Sequence, residues 1–162
     1  MGILNQIIQT ANSAISSYNC PKVEEVISFI KRRVTVAKSQ YKEEKNVENI
    51  IAKQLREKYG ATNVHQQYSV QGFLGLKCDI DLFDSKCCGI ELKLAKQLSA
   101  SSGAAAKERL IGQAVYYSRR QYKGKLIVLV VGTANEKKDA ALSEVEKFLL
   151  ELGIYYIYKE IQ

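Results

Sequence analysis

The chain has 162 residues, 46% hydrophobic and 25% charged, the size and composition of one compact domain carrying a helical extension. Its 24 basic side chains outnumber 17 acidic ones for a formal charge of +7, which favours an acidic partner such as nucleic acid or an anionic membrane surface without identifying one. The longest unbroken apolar run, Leu126 to Val131, falls far short of the ~20 residues of a membrane span, and no charged stretch precedes an apolar one at the start, so a soluble, unprocessed, cytoplasmic protein is expected.

Apolar residues from Ile3 to Ser17 recur at helical spacing, and Pro21 suits the first turn of a second helix carrying Val23, Val26, Ile27, Ile30 and Val34. Together they read as an amphipathic extension over 1–42, ahead of a main domain over 43–162. The apolar faces of these helices suit a homodimer. A third helix, Glu44 to Tyr59, places Val47, Ile50, Ile51 and Leu55 on one side and ends at Gly60, a favourable cap.

Strand signals follow. "VHQQYSV" (64–70) alternates, "GFLG" (72–75) turns the chain, and two apolar runs separated by "DSK" make a hairpin. A Ser/Gly-rich loop then leads into a helix from about Ala104 to Tyr122, the doubly apolar strand "KLIVLVVG", a helix from Glu136 to Leu152 and a last strand "IYYIY". The order α, β, β, β, α, β, α, β predicts an α/β layered domain in which an antiparallel hairpin enters a mixed sheet. Cys20, Cys78, Cys87 and Cys88 lack a Cys-x2-4-Cys knuckle and do not resemble a secreted disulfide framework, so buried, reduced thiols are expected rather than a zinc site with His65.

The hairpin carries the chemistry. Alternation puts Leu76, Cys78, Ile80 and Leu82 on one side and Lys77, Asp79, Asp81 and Phe83 on the other; in the second run Cys88, Ile90, Leu92 and Leu94 oppose Gly89, Glu91 and Lys93. A loop over Asp84–Lys86 sets Asp79 across from Glu91, with Cβ atoms ~5 Å apart, whereas a loop over Ser85–Cys87 sets Asp81 there. Either register brings two carboxylates together, and at ~4 Å with an effective dielectric of ~20 their repulsion is about 4 kcal/mol. Lys93 offers one compensating charge, and a divalent cation held by hard carboxylate oxygens offers more. A hairpin face that is simply solvated is the plain alternative.

"GLKCD" (75–79), "IELK" (90–93) and "QAVYY" (113–117) together resemble the RecB-like branch of the PD-(D/E)xK nuclease superfamily, whose motifs run Gly-apolar-x-x-Asp, acid-apolar-Lys and Gln-apolar-x-x-Tyr in that order. The proline that usually precedes the aspartate is replaced by Cys78. The resemblance implies a restriction-endonuclease-like core, α-β-β-β-α-β with a mixed sheet flanked by helices, over about Glu44 to Gly132. It implies a Mg²⁺- or Mn²⁺-dependent deoxyribonuclease in which Asp79, Glu91 and the Leu92 carbonyl hold the metal. Lys93 would position the attacking water or stabilise charge on the phosphate, and Gln113 would join the catalytic set. Glu48, with Glu44 behind it, would complete the metal site, and Asp81 would either support the ligands from behind or serve as an alternative ligand. No cluster is implied, since no cysteine follows Cys88.

Phosphodiester hydrolysis needs a deprotonated water and neutralised phosphate charge, which carboxylate-held metal and one lysine supply without a histidine base. His65 is accordingly set aside. On the helix after the hairpin, Arg109, Gln113, Tyr116 or Tyr117 and Arg120 share a stripe that suits a DNA backbone, with Lys96 adding charge nearby. The competing reading is a nuclease-like module that binds DNA or protein without cutting; a basic interaction protein with a merely exposed hairpin is the third.

Overall fold

The computed structural model describes residues 20–72 and 75–162. The expected first helix, Ile3 to Ser17, and the middle of the "GFLG" turn lie outside them. Among the described residues there are five α-helices: α1 (Val23–Arg32), α2 (Glu44–Tyr59), α3 (Ala95–Leu98), α4 (Ala104–Arg120) and α5 (Ala140–Glu151). Five strands, β1 (Val64–Ser69), β2 (Lys77–Leu82), β3 (Cys88–Leu94), β4 (Leu126–Gly132) and β5 (Tyr155–Glu160), form one sheet in sequence order. β1, β2 and β3 are antiparallel, while β3, β4 and β5 run parallel, so the sheet is mixed as the pattern predicts.

Two helical layers cover the sheet. Ile127, Leu129 and Val131 of β4 join α1, α2 and the apolar side chains of β3 in one core, and Leu126, Val128 and Val130 join α3, α4 and α5 in the other. Alternation in a strand buried on both faces is what fills both cores. Val23, Val26, Ile30, Val34 and Val36 belong to the first core, so the segment read as an extension packs directly on the sheet from Val23 onward. α2 ends where expected: Gly60 adopts φ 95 and its N–H closes on the Arg56 carbonyl.

Three expectations change. The helix anticipated from Glu136 begins as a single tight turn, Glu136–Lys138; Asp139 then turns extended, and its carboxylate caps α5 by accepting the Ala141 N–H at 2.8 Å. The loop after β3 contains α3, whose Ala95 and Leu98 are fully buried. Of the four cysteines, Cys78 and Cys88 are buried free thiols, but Cys20 and Cys87 form a disulfide. The segment ahead of α1 docks beside the hairpin loop and brings their Cα atoms to 5.5 Å, within the spacing a disulfide requires. No helix among the described residues is long and apolar enough to cross a membrane.

Candidate active site

β2 and β3 pair as Leu82–Cys88, Asp81–Gly89 and Ile80–Ile90, the register that places Asp79 opposite Glu91. The ladder stops there. One step further, the Leu92 N–H donates to Asp79 Oδ2 at 2.8 Å, so a side chain occupies the place of the next backbone acceptor. On the other flank β1 passes from the Gln66–Ile80 pair to the Tyr68–Cys78 pair with Gln67 between them at φ 52. The regular pleat is lost on both sides of Asp79. Cys78 consequently packs with Tyr117, Tyr122 and Val128 in the second core, not with Ile80 and Leu82 as strict alternation predicts.

Lys93 stands at the centre of what this irregularity opens. Its Nζ lies 3.0 Å from Glu44 Oε1, 3.3 Å from Glu91 Oε1 and 3.9 Å from Asp79 Oδ2, and it donates to the Leu92 carbonyl at 2.8 Å. Behind this group Glu48, nearly fully buried, accepts from Gln66 (2.7 Å), Lys45 (2.8 Å) and Gln67 (3.0 Å), and the same Gln67 amide also donates to Asp79 Oδ1 at 3.1 Å. Glu44 thus makes the direct contact from α2, and Glu48 acts on Asp79 through Gln67. A cleft of about 400 Å³ opens over Glu44, Asp79, Glu91 and Lys93, with Arg109 and Gln113 of α4 on its far wall.

Burial sets the electrostatics. It pushes the Glu91 carboxyl up to about 8, with the Asp79 charge adding to the rise and Lys93 opposing it. Asp79 is raised for the same first reason, held back by Lys93 and the Leu92 N–H. Burial would lower the Lys93 ammonium, but the Glu91, Asp79 and Glu44 carboxylates together outweigh it and hold the group charged. Glu91 Oε2 is buried and has no hydrogen-bond partner. Two buried carboxylates with an open oxygen lone pair, beside a backbone carbonyl, are a hard-oxygen donor set suited to Mg²⁺ or Mn²⁺.

The other predicted residues fall at varying distances from this cleft. Gln113 lines it and donates to the Tyr117 hydroxyl at 3.4 Å. Tyr117 itself is fully buried, its hydroxyl on the Lys77 carbonyl, so it does not reach a nucleic acid; helical rotation points it at the sheet as core. Arg109 is exposed on the cleft wall, whereas Arg120, also exposed, lies eleven residues on, about 16 Å along α4. Lys96 is exposed too, donating to the Lys42 carbonyl and sitting 5.1 Å over the Tyr41 ring. Asp81 does not join Lys93: it accepts from Tyr122 Oη and the Ser85 N–H. Among the described residues, the one group of three side chains with ligand atoms within 4.8 Å of one another is His65, Asp81 and Asp84, away from the predicted set.

Sequence reasoning missed Gln67, which joins Glu48 to Asp79. A glutamine in a short alternating strand carries no signal of a left-handed backbone, so nothing in the pattern pointed to it. Comparison with family models, curated proteins and solved structures finds no match for this chain.

Proposed function

We propose that the protein is a divalent-metal-dependent deoxyribonuclease of the PD-(D/E)xK type, hydrolysing DNA phosphodiester bonds in repair, recombination, restriction or the life of a mobile element. The observation that carries the reading is the meeting of Asp79, Glu91, Lys93 and the Leu92 carbonyl at one cleft, with Glu91 Oε2 buried and without a hydrogen-bond partner. The succession α2, β1, β2, β3, α4, β4, with the short α3 inserted after β3, supports it, as it follows the element order of a restriction-endonuclease-like core.

Asp79 and Glu91 would hold Mg²⁺ or Mn²⁺ together with the Leu92 carbonyl, and Glu44, in contact with Lys93, is a further carboxylate lining the cleft. Bound there, the ion supplies charge neutralisation at the phosphate and a water of lowered pKa. The chain's own residues do the rest. The Leu92 N–H and Gln67 fix both oxygens of Asp79, so its orientation is set before substrate arrives. Lys93, held charged by its carboxylates, is placed to orient a water or to meet charge developing on the phosphate. Arg109 and Gln113 face the cleft from α4 and suit contacts to the DNA backbone.

A second reading, a nuclease-like module that binds without cutting, draws on one observation: Lys93 already engages three carboxylates and the Leu92 carbonyl. Circular and linear DNA incubated with Mg²⁺, Mn²⁺ or EDTA separates the two. Metal-dependent cutting that falls at least 100-fold in both Asp79→Ala and Lys93→Ala is the expected result. Salt-sensitive binding without cutting at any metal concentration would establish the second reading.

A further inference from the structure

At the opposite end of β2 lies a cluster that the proposed chemistry does not use. His65 and Asp81 are direct partners across β1 and β2, so their side chains rise from one face with Cβ atoms ~5 Å apart. Asp84 follows in the hairpin loop, and an oxygen of it comes to 3.1 Å from His65 Nε2. One ligand-type atom from each of the three side chains lies within 4.8 Å of the others.

Proximity alone would mean little, but the hydrogen bonding of this group is incomplete. Asp81 is fully buried; its Oδ1 takes the Ser85 N–H at 2.8 Å and the Tyr122 hydroxyl at 3.0 Å, and its Oδ2 has no partner. His65 Nε2 is likewise buried without a hydrogen bond. Its short contact with Asp84 lacks hydrogen-bond alignment, so an N–H directed at that carboxylate does not account for it. An imidazole nitrogen and a carboxylate oxygen, both buried and both unsatisfied, cost free energy unless something between them accepts electron pairs.

We propose that His65 Nε2, Asp81 Oδ2 and an Asp84 carboxylate oxygen form a second cation site, selective for a borderline divalent ion such as Zn²⁺ over Mg²⁺. One nitrogen and two oxygens are a donor set that Zn²⁺ takes at about 2.0–2.2 Å, with water in the fourth position. Ligand atoms around such an ion stand about 3.3 Å apart, against 3.1 Å between His65 Nε2 and Asp84 and no more than 4.8 Å within the group of three here. Asp84, exposed at the loop, gives the ion its route in, and Tyr122 and the Ser85 N–H hold the buried Asp81 in orientation. Bound, the ion ties β1 to the hairpin loop, where Phe83, Asp84 and Ser85 all adopt positive φ.

His65 is the only histidine in the chain, so its ring Hε1 proton is an unambiguous NMR reporter. At pH 7.5, one equivalent of Zn²⁺ is expected to displace that resonance in the native protein and in Asp79→Asn, and an equimolar amount of Mg²⁺ to leave it unmoved. Asp84→Asn, a change at an exposed position, should weaken Zn²⁺ binding at least tenfold, and calorimetry on His65→Gln should lose one equivalent. A resonance that stays in place under excess Zn²⁺ overturns the proposal. So does a shift equal in native protein and Asp84→Asn, or one abolished by Asp79→Asn, which would assign the ion to the Lys93 cleft.

Discussion

At the scale of single residues, Glu91 carries a stability cost with a definite sign. An unfolded chain ionises this carboxyl near 4.5, whereas burial and the Asp79 charge raise it to about 8 in the fold. Below pH 4.5 both states hold the proton and nothing is lost. Between 4.5 and 8 the fold keeps a proton that the unfolded chain has released, so stability falls as pH rises, by up to about 1.36 kcal/mol per pH unit; above 8 the loss is constant. Glu91→Gln removes this titration while keeping the shape. It is expected to stabilise the protein by about 1–3 kcal/mol at pH 8 and by close to nothing at pH 4.5, while abolishing any metal-dependent cutting. Urea unfolding at the two pH values measures it, and equal effects at both would show that Glu91 is not the titrating group.

At the scale of elements, β3 depends on a missing side chain. A Cβ at Gly89 would collide with the ring carbons of Tyr122, which is fully buried and donates to Asp81. Gly89→Ala should therefore destabilise by about 1–3 kcal/mol, since a packed ring must leave its place. Gly112 in α4 meets nothing within 4 Å, and Gly112→Ala should stabilise by about 0.5–1 kcal/mol through helix propensity. The same substitution with opposite signs, read by chemical denaturation, tests whether packing or propensity decides. Alternation foretold the hairpin and the apolar side of β3, because a period of two follows from the pleat itself, but it left two registers open, of which the one with Asp79 opposite Glu91 forms. It failed at Cys78, where Gln67 leaves the extended conformation opposite Asp79 and the strand no longer alternates. Legibility ended at the irregularity that makes the site.

At the scale of the whole molecule, what the sequence left out is long-range. Glu44 reaching Lys93 across 49 residues, and the Cys20–Cys87 disulfide across 67, follow from docking helices on a sheet, which no local spacing encodes. The same packing decides where the +7 charge can act. Lys77 and Arg109 flank the cleft, whereas Lys58 lies fourteen residues along α2 from Glu44, about 21 Å away. If DNA lies along the cleft, each lost phosphate contact should lower the slope of log K against log salt by about 0.9. Lys77→Ala and Arg109→Ala are each expected to reduce the slope by close to that amount and to weaken binding uniformly across sequences. Lys58→Ala should leave the slope unchanged, because a charge two Debye lengths from the phosphates, at ~10 Å each in 0.1 M salt, is screened from them. Fluorescence anisotropy with a labelled duplex from 50 to 200 mM salt gives the three slopes, in EDTA so that cutting does not interfere. Equal losses in all three variants would mean that DNA is held by the diffuse charge of the molecule and not along this cleft.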